Sequence, residues 1–527
     1  MKRFSGLRIN RDQTRCIPSS EWLPLCYPAA AVFVGLLAAQ VIATFHVYFS
    51  NQGLYQTLSV IRDAGYLVIP NHRTMNRLQE FAPAFYGGLF FTFSVGAGLS
   101  LISIAAAWAW DRLFSRTGVI LILLLLLWVG SITAVNWKGF SPLVTAYFSV
   151  IPAVVFFVTL RWMPSKTGGR SRASVLIHLM TIALLGSLWV PQLGDRLFLD
   201  IRDRLLLSNP LGIMMTDFYY RYTLYPAHAF KSLDQQTLKT CSLHGVRKKS
   251  LKKLLQGKLI SHDYLDTEGK GAIDLKISES GRDLIFENRG RGVLRIPPND
   301  FLSRPAHGLK RFSSKTDRYL LFRQFTFYSI LIGFPITLYL FLVTIFLFLL
   351  TRCLDLRTAP VAAAILCLIS GISLLIPIWL GNAGEMDKDH LNTSLESGRW
   401  QERVAALKTI REKRMEVSNF SPYKRMLSSP HIAERYWLTK ALGVSRRPET
   451  YKDLLGLLND PSPIVVSMAF QALGRRGDRQ AVKEILKRIK TSNDWYNQWY
   501  AYKALRALGW KQIRLKRDNN RIDNPPF

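Results

Sequence analysis

The sequence has little of what marks a soluble enzyme. It contains no phosphate-binding P-loop, no G-x-S-x-G nucleophile elbow, no H-E-x-x-H zinc helix, and no G-x-G-x-x-G turn ahead of a helix. Nucleotide-, serine- and zinc-dependent chemistry therefore has no motif to rest on. Cysteine is sparse: Cys16, Cys26, Cys241, Cys353 and Cys367, with no CxxC pair among them. That excludes the usual zinc and haem-attachment spacings and implies no disulfide framework, so no cofactor is expected. Acid is also short. Against 69 Lys and Arg stand 36 Asp and Glu, a formal net charge of +33. Such a charge first suggests nucleic acid.

The distribution of charge points elsewhere. The 527-residue chain is too long for one ordinary domain, and its apolar residues collect in runs with almost no charge. A run of about 20 residues matches the apolar thickness of a bilayer. Seven qualify, at about Leu23–Tyr48, Phe81–Trp110, Gly118–Val135, Pro142–Leu160, Ser174–Leu193, Phe325–Leu350 and Pro360–Leu380. The third is the purest, with ILILLLLLWVG. The first is too long for a cleavable signal peptide and lacks a small-x-small site, so it reads as a retained anchor. In a polytopic membrane protein, Lys and Arg gather in cytoplasmic links and near anionic headgroups. That account of the +33 charge is preferred to nucleic acid.

The same rule sets an orientation. Lys2, Arg3, Arg8, Arg11 and Arg15 precede the first run, and Arg112, Arg116, Arg161, Lys166, Arg170, Arg172, Arg352 and Arg357 lie in alternate links. The N-terminus is expected in the cytoplasm of a bacterial inner-membrane protein. With seven spans the C-terminal region is outside; one miscounted span reverses this. Cys241 would report the side of the middle region. Gly87, Gly88, Ser94, Gly96 and Gly98 in the second run would admit a neighbouring helix closely.

The expected organisation follows. Residues 1–22 form a basic tail, and 23–194 a membrane region of about five spans with a first outer loop at 49–80. Residues 195–323 form an α+β module, 324–384 two further spans, 385–510 a helical repeat domain, and 511–527 a basic tail. The fold class is mainly α: a helical membrane bundle, a small α+β module and a C-terminal α-solenoid. In the first loop, Leu54–Ile61 and Met75–Phe81 are amphipathic, and GYLVIPNHR between them marks a turn. In the middle module, Asn209–Pro210 opens a helix whose aromatics, Phe218, Tyr219, Tyr220, Tyr222 and Tyr225, would pack on the membrane surface or on neighbouring helices. A basic helix, VRKKSLKKLLQ, precedes strands read at KLISHDYL, AIDLKISES, RDLIFE and GVLRIPP. That helix is a solvated face beside a sheet, an anionic-headgroup contact, or part of a winged helix on DNA.

The C-terminal region repeats. YWLTKALG, VSMAFQALG and YKALRALG end at Gly443, Gly474 and Gly509, and RVAALKTI at Arg403–Ile410 is a looser copy. A spacing of roughly 31 to 35 residues is that of a two-helix solenoid unit. Ala would permit close helix crossing, Leu would fill the seam and Gly would end the helix. Leu454–Ile489, LLGLLNDPSPIVVSMAFQALGRRGDRQAVKEILKRI, resembles a HEAT repeat of the short type first described in phycobilisome lyases: Leu-Leu, then Asn-Asp-Pro, Ala-Leu-Gly, Gly-Asp and Ala-Val. The flanking copies depart from it, with Leu438 where the better copy has Ala469. The resemblance implies a protein-binding solenoid from Arg403 to Gly509 and carries no lyase activity with it.

Ionisable residues inside spans usually mark transport or catalysis. Here only His178 lies well inside one, and a bond to a neighbouring helix is its expected role. Pro152, Pro335 and Pro377 would kink their spans. A polar set falls near one predicted face: His46, His72 and Arg73, Asp195 and Arg196, and Glu385, Asp387 and Asp389. His46, His72, Asp195 and Glu385 are the catalytic candidates, if they converge. The leading expectation is a non-enzymatic membrane scaffold or assembly protein binding partner proteins through the repeats. The alternative is a membrane enzyme or transporter acting on a lipid or envelope glycan.

Overall fold

A computed structural model describes residues 19–164, 172–192, 194, 198, 201–355, 358–380 and 390–514. The chain divides into two compact units. One comprises residues 1–42, 91–197 and 321–377; the other comprises 43–90, 198–320 and 378–527.

Among the described residues, six helices are long and apolar enough to cross a membrane: Cys26–Asp63, Phe81–Arg112, Gly118–Val135, Pro142–Trp162, Leu320–Leu350 and Ala359–Trp379. A seventh apolar helix, Arg172–Trp189, falls at the fifth expected run and continues as a short 3-10 turn, Val190–Gln192. Its apolar stretch, Leu176–Gln192, is shorter than in the other six. The first helix also differs from expectation. It runs from Ser19 to Asp63, well past Tyr48. Gly53 lies in this extension, and one glycine in a helix costs just about 1 kcal/mol. The turn comes at Gly65, which has a left-handed φ of 87°.

In the first unit, small residues set the helix spacing. A Cβ on Gly96 would lie 2.5 Å from Ala39 Cβ, and one on Gly98 would lie 2.2 Å from Ser329 Oγ. A Cβ on Gly333 would in turn meet Gly98 Cα at 3.1 Å. Both helices carry a π-type turn there, Thr92–Gly96 and Ser329–Gly333. Hydroxyls mostly bond carbonyls of their own helix, as in Ser100 to Gly96 (2.7 Å), Ser103 to Leu99 (2.6 Å) and Thr159 to Val155 (2.6 Å). His178 shares a 2.9 Å hydrogen bond with Tyr339 of a neighbouring helix, the role expected of it.

The second unit holds a five-stranded mixed sheet: β1 Lys239–Gly245, β2 Tyr264–Asp266, β3 Leu275–Ser280, β4 Asp283–Asn288 and β5 Arg291–Ile296. The order is β2-β1-β3-β4-β5. β1 is parallel to both neighbours, and β3, β4 and β5 form an antiparallel meander. Arg289 and Gly290, both at positive φ (52° and 77°), make the second tight turn, as a two-residue hairpin requires. The basic helix, Lys249–Ile260, joins parallel β1 and β2. It gives Leu255 and Leu259 to the core with Phe286, Phe301 and Phe312, while Lys248, Lys249 and Lys253 stay exposed. A helix between parallel strands is not a helix-turn-helix, so the winged-helix reading is overturned. The residues read as a strand at KLISHDYL split between the end of this helix and β2.

Four helix pairs follow. The first helices are Leu391–Glu396, Tyr423–Met426, Pro448–Leu457 and Ala481–Thr491. The second helices are Trp400–Glu412, Ile432–Leu442, Pro463–Arg476 and Trp495–Ala507. Of the Ala-Leu-Gly glycines, Gly509 ends its helix as expected, left-handed just past Leu508, while the other two differ. Gly474 lies inside its helix, and Gly443 is right-handed with φ −69°. Their need is closeness. A Cβ on Gly443 would sit 2.9 Å from Ala472 Cβ, and one on Gly474 would sit 3.0 Å from Ala504 Cα. The left-handed positions belong to Gly477 (φ 81°) and Gly509 (φ 82°).

Candidate functional site

The repeats are built by one polar device used again and again. The fourth residue of a second helix bonds the carbonyl six residues back. Arg403 donates to Ser397 O (2.6 Å), Arg435 to Ser429 O (2.5 Å) and Gln498 to Ser492 O (2.9 Å). Val466 takes this place in the third pair. The arginines also reach the next unit. Arg403 forks onto Glu434 at 2.6 and 2.9 Å, and Arg435 onto Asp460 at 2.6 and 3.0 Å. Fork-on-fork pairing fixes direction as well as charge.

The ninth residues of the second helices are Lys408, Lys440, Gln471 and Lys503. A register shared by every unit puts three lysines on one face of the stack. Aromatic rings lie among them. Lys408 and Lys440 sit over Trp437 at 5.0 and 4.1 Å from its centroid, with Arg411 at 5.8 Å, and Lys503 sits 3.5 Å over Trp499. Ammonium groups over indole faces are attracted by the ring quadrupole, each worth about 0.5–1 kcal/mol when exposed. The arrangement stacks cations on indole rings, of which Trp437 is buried and Trp499 half-buried.

Part of that face is occupied by the chain itself. Buried Arg202 pairs with Asp203 (2.8 Å), donates to Tyr220 Oη (2.7 Å) and reaches the Tyr436 hydroxyl of the second pair. Lys440 bonds the other Asp203 oxygen at 3.3 Å. Burial, opposed by Asp203, brings the Lys440 ammonium down to about 8. Tyr220 packs on Tyr496 with centroids 4.2 Å apart, and Trp495 Nε1 donates to Tyr220 O (2.9 Å). Tyr222 and Phe218 pack instead on Tyr86, at 4.8 and 5.9 Å. The aromatics of this segment thus pack on neighbouring helices, one of their two expected roles.

The last helix pair is tied down further. Asn71 Nδ2 donates to Ile489, Lys490 and Ser492 carbonyls, and its N–H donates to Gln498 Oε1 at 2.6 Å. Gln512 brackets Leu67, accepting from its N–H and donating to its carbonyl. Tyr502 donates to Asp263 (2.5 Å) and Arg506 to Ser261 O (2.5 Å), docking the sheet module on the same pair. None of these contacts had a local sequence signal, since each joins positions hundreds of residues apart.

The sequence candidates fall elsewhere. His46 is buried along the first helix, whereas His72 is the exposed first residue of a short helix, His72–Met75, with Arg73 beside it. Asp195, Arg196, Glu385, Asp387 and Asp389 lie outside the described residues. Among the described residues no three His, Cys, Asp or Glu side chains gather as metal ligands would. Cys241 is buried on β1, and Cys353 is exposed.

Stacked helix pairs with a fixed register define an α-solenoid. Residues 423–506 match the family of HEAT repeats, as the motifs of Leu454–Ile489 suggested. No curated protein and no solved structure matches the chain.

Proposed function

We propose that this chain is a membrane-anchored scaffold or assembly protein whose HEAT repeats bind partner proteins. The repeat register carries the reading: cations and aromatics recur on one face, and the part around Lys408 and Arg411 lies on the first second helix, away from the docked last pair. A partner with acidic side chains suits that face. Charge reversal at Lys408 and Arg411 tests it. Proteins cross-linked to the detergent-solubilised full chain should be lost in K408E/R411E; an unchanged set would sink the proposal.

Anchoring has its own support. Along Gly118–Val135, seven large aliphatic side chains are exposed: Val119, Ile122, Leu123, Leu125, Leu126, Leu127 and Val129. Leaving such groups in water costs roughly 1.5–3 kcal/mol each when fully exposed. Even discounted for partial burial, the sum is on the order of 10 kcal/mol, as large as the whole stability of a domain. Lipid removes that cost. The Arg172–Trp189 helix, about 27 Å long at 1.5 Å per residue, counts as a seventh crossing in this reading. Its Ile182 and Leu185 pack with Tyr339 and Val343. The N-terminus is then cytoplasmic and the repeats extracytoplasmic. Exposed Cys353 is a better reporter of orientation than buried Cys241. In a variant keeping only Cys353, an impermeant maleimide should label only after cells are permeabilised. Labelling of intact cells would reverse the orientation.

A further inference from the structure

Lys231 and Lys503 come from distant parts of the sequence to the same indole. Lys503 Nζ lies 3.5 Å from the Trp499 centroid and Lys231 Nζ 5.5 Å. Their proximity is unfavourable. Burial and then the Lys231 charge bring Lys503 down to about 8, and burial lowers Lys231 as well. Among the described residues no carboxylate holds either ammonium. One turn before Lys231, burial and the Lys231 charge push His228 down to about 4, so this neighbour stays neutral at pH 7. Uncompensated charge in a partly dry place is costly unless something brings the opposite sign.

A cavity of about 60 Å³ opens at this point. Its polar side is formed by His228, Lys231, Gln236, Thr237 and Trp499. Its apolar side includes Leu54, Pro70 and Leu224. The volume is enough for a small tetrahedral oxyanion. Lys231, Gln236 and Thr237 line the cavity with side chains of the kinds that donate to an anion.

We propose that the pocket beside Trp499 binds a phosphate group, with Lys231 as its direct cation and Lys503 as a second positive charge at the same indole. The phosphate of a lipid headgroup and free phosphate share this chemistry. The apolar wall suits what lies beyond a lipid phosphate. The site is distinct from the basic Lys249–Ile260 helix, whose Lys249, Lys253 and Lys258 are exposed.

The test uses the full chain in phosphate-free neutral detergent. Thermal unfolding is followed against inorganic phosphate, and lipid retention is measured in phosphatidylcholine nanodiscs with and without phosphatidic acid. The wild type should be stabilised by phosphate if the free anion is the ligand, or should retain phosphatidic acid selectively if the lipid is. K231Q/K503Q should bind whichever ligand it is at least tenfold more weakly, and K231R should keep binding. K452Q/K487Q, with equal charge loss at exposed positions, should match the wild type. The proposal is overturned if neither ligand acts on the wild type, or if K231Q/K503Q responds like K452Q/K487Q.

Discussion

Both units bring helices together at glycines, Gly443 and Gly474 included, but they complete the packing by different means. In the first, helices approach through glycine, and most hydroxyls bond their own helix: Gly98 against Ser329, Ser103 to Leu99. In the second, arginines reach across units and finish one another's turns: Arg435 holds both Ser429 and Asp460. The contrast follows from the surroundings proposed for each. In lipid, helices gain nothing from hiding apolar surface, so closeness and shape must hold them. In water, apolar surface supplies the drive, and buried polar pairs fix which helix meets which.

Three experiments would break or sharpen this contrast. The largest effect should come from Arg435→Leu. It strands Asp460 without its partner in a buried place, which costs about 3–5 kcal/mol. Protease should cut the repeats while leaving the apolar helices intact, as peptide mapping would show; equal sensitivity of both would erase the distinction.

The next effect is set by pH. His228 titrates near 4 in the folded unit against 6.5 in the unfolded chain, so its neutral form is favoured by folding. The stability it contributes is full above pH 6.5 and is lost as pH falls towards 4, because the unfolded chain then binds more protons. The loss should be on the order of 2–3 kcal/mol, and His228→Asn should flatten the profile between pH 6.5 and 4. A wild-type profile as flat as the variant's would refute the assignment.

The smallest effect lies in the first unit. Gly98→Ala overpacks the contact with Ser329 and should cost about 1–3 kcal/mol. Adding Ser329→Gly should restore most of the loss in detergent melting curves. Absence of rescue would mean that the close approach is not what Gly98 provides.

Much of the fold was legible because its signals are local. Charge-free runs and a recurring Ala-Leu-Gly are visible in any short window. Other features left no such trace. Strand β1 buries five consecutive residues, Lys239–Leu243, so it lacks the alternation that betrays a half-buried strand. The role of Gly474 was misread because a helix-ending glycine and a helix-crossing glycine look alike in sequence. The occupied repeat face depends on Arg202 meeting Tyr436, and no periodicity announces such a pair. The repeat register placed Lys408, Lys440 and Lys503 together, whereas Lys231 joins them only through tertiary structure.

The side chain of Asn71 has a consequence for the order of assembly. It reaches three carbonyls at the end of the Ala481–Thr491 helix, a helix made more than four hundred residues later during synthesis. Those carbonyls are the orphans every helix end must satisfy. The last repeat therefore receives its finishing piece from the beginning of the chain, and an isolated C-terminal fragment would carry an unfinished edge. The loop after the first helix works as a built-in gauge of completeness: the solenoid closes off fully only in a molecule whose N-terminal part is already in place.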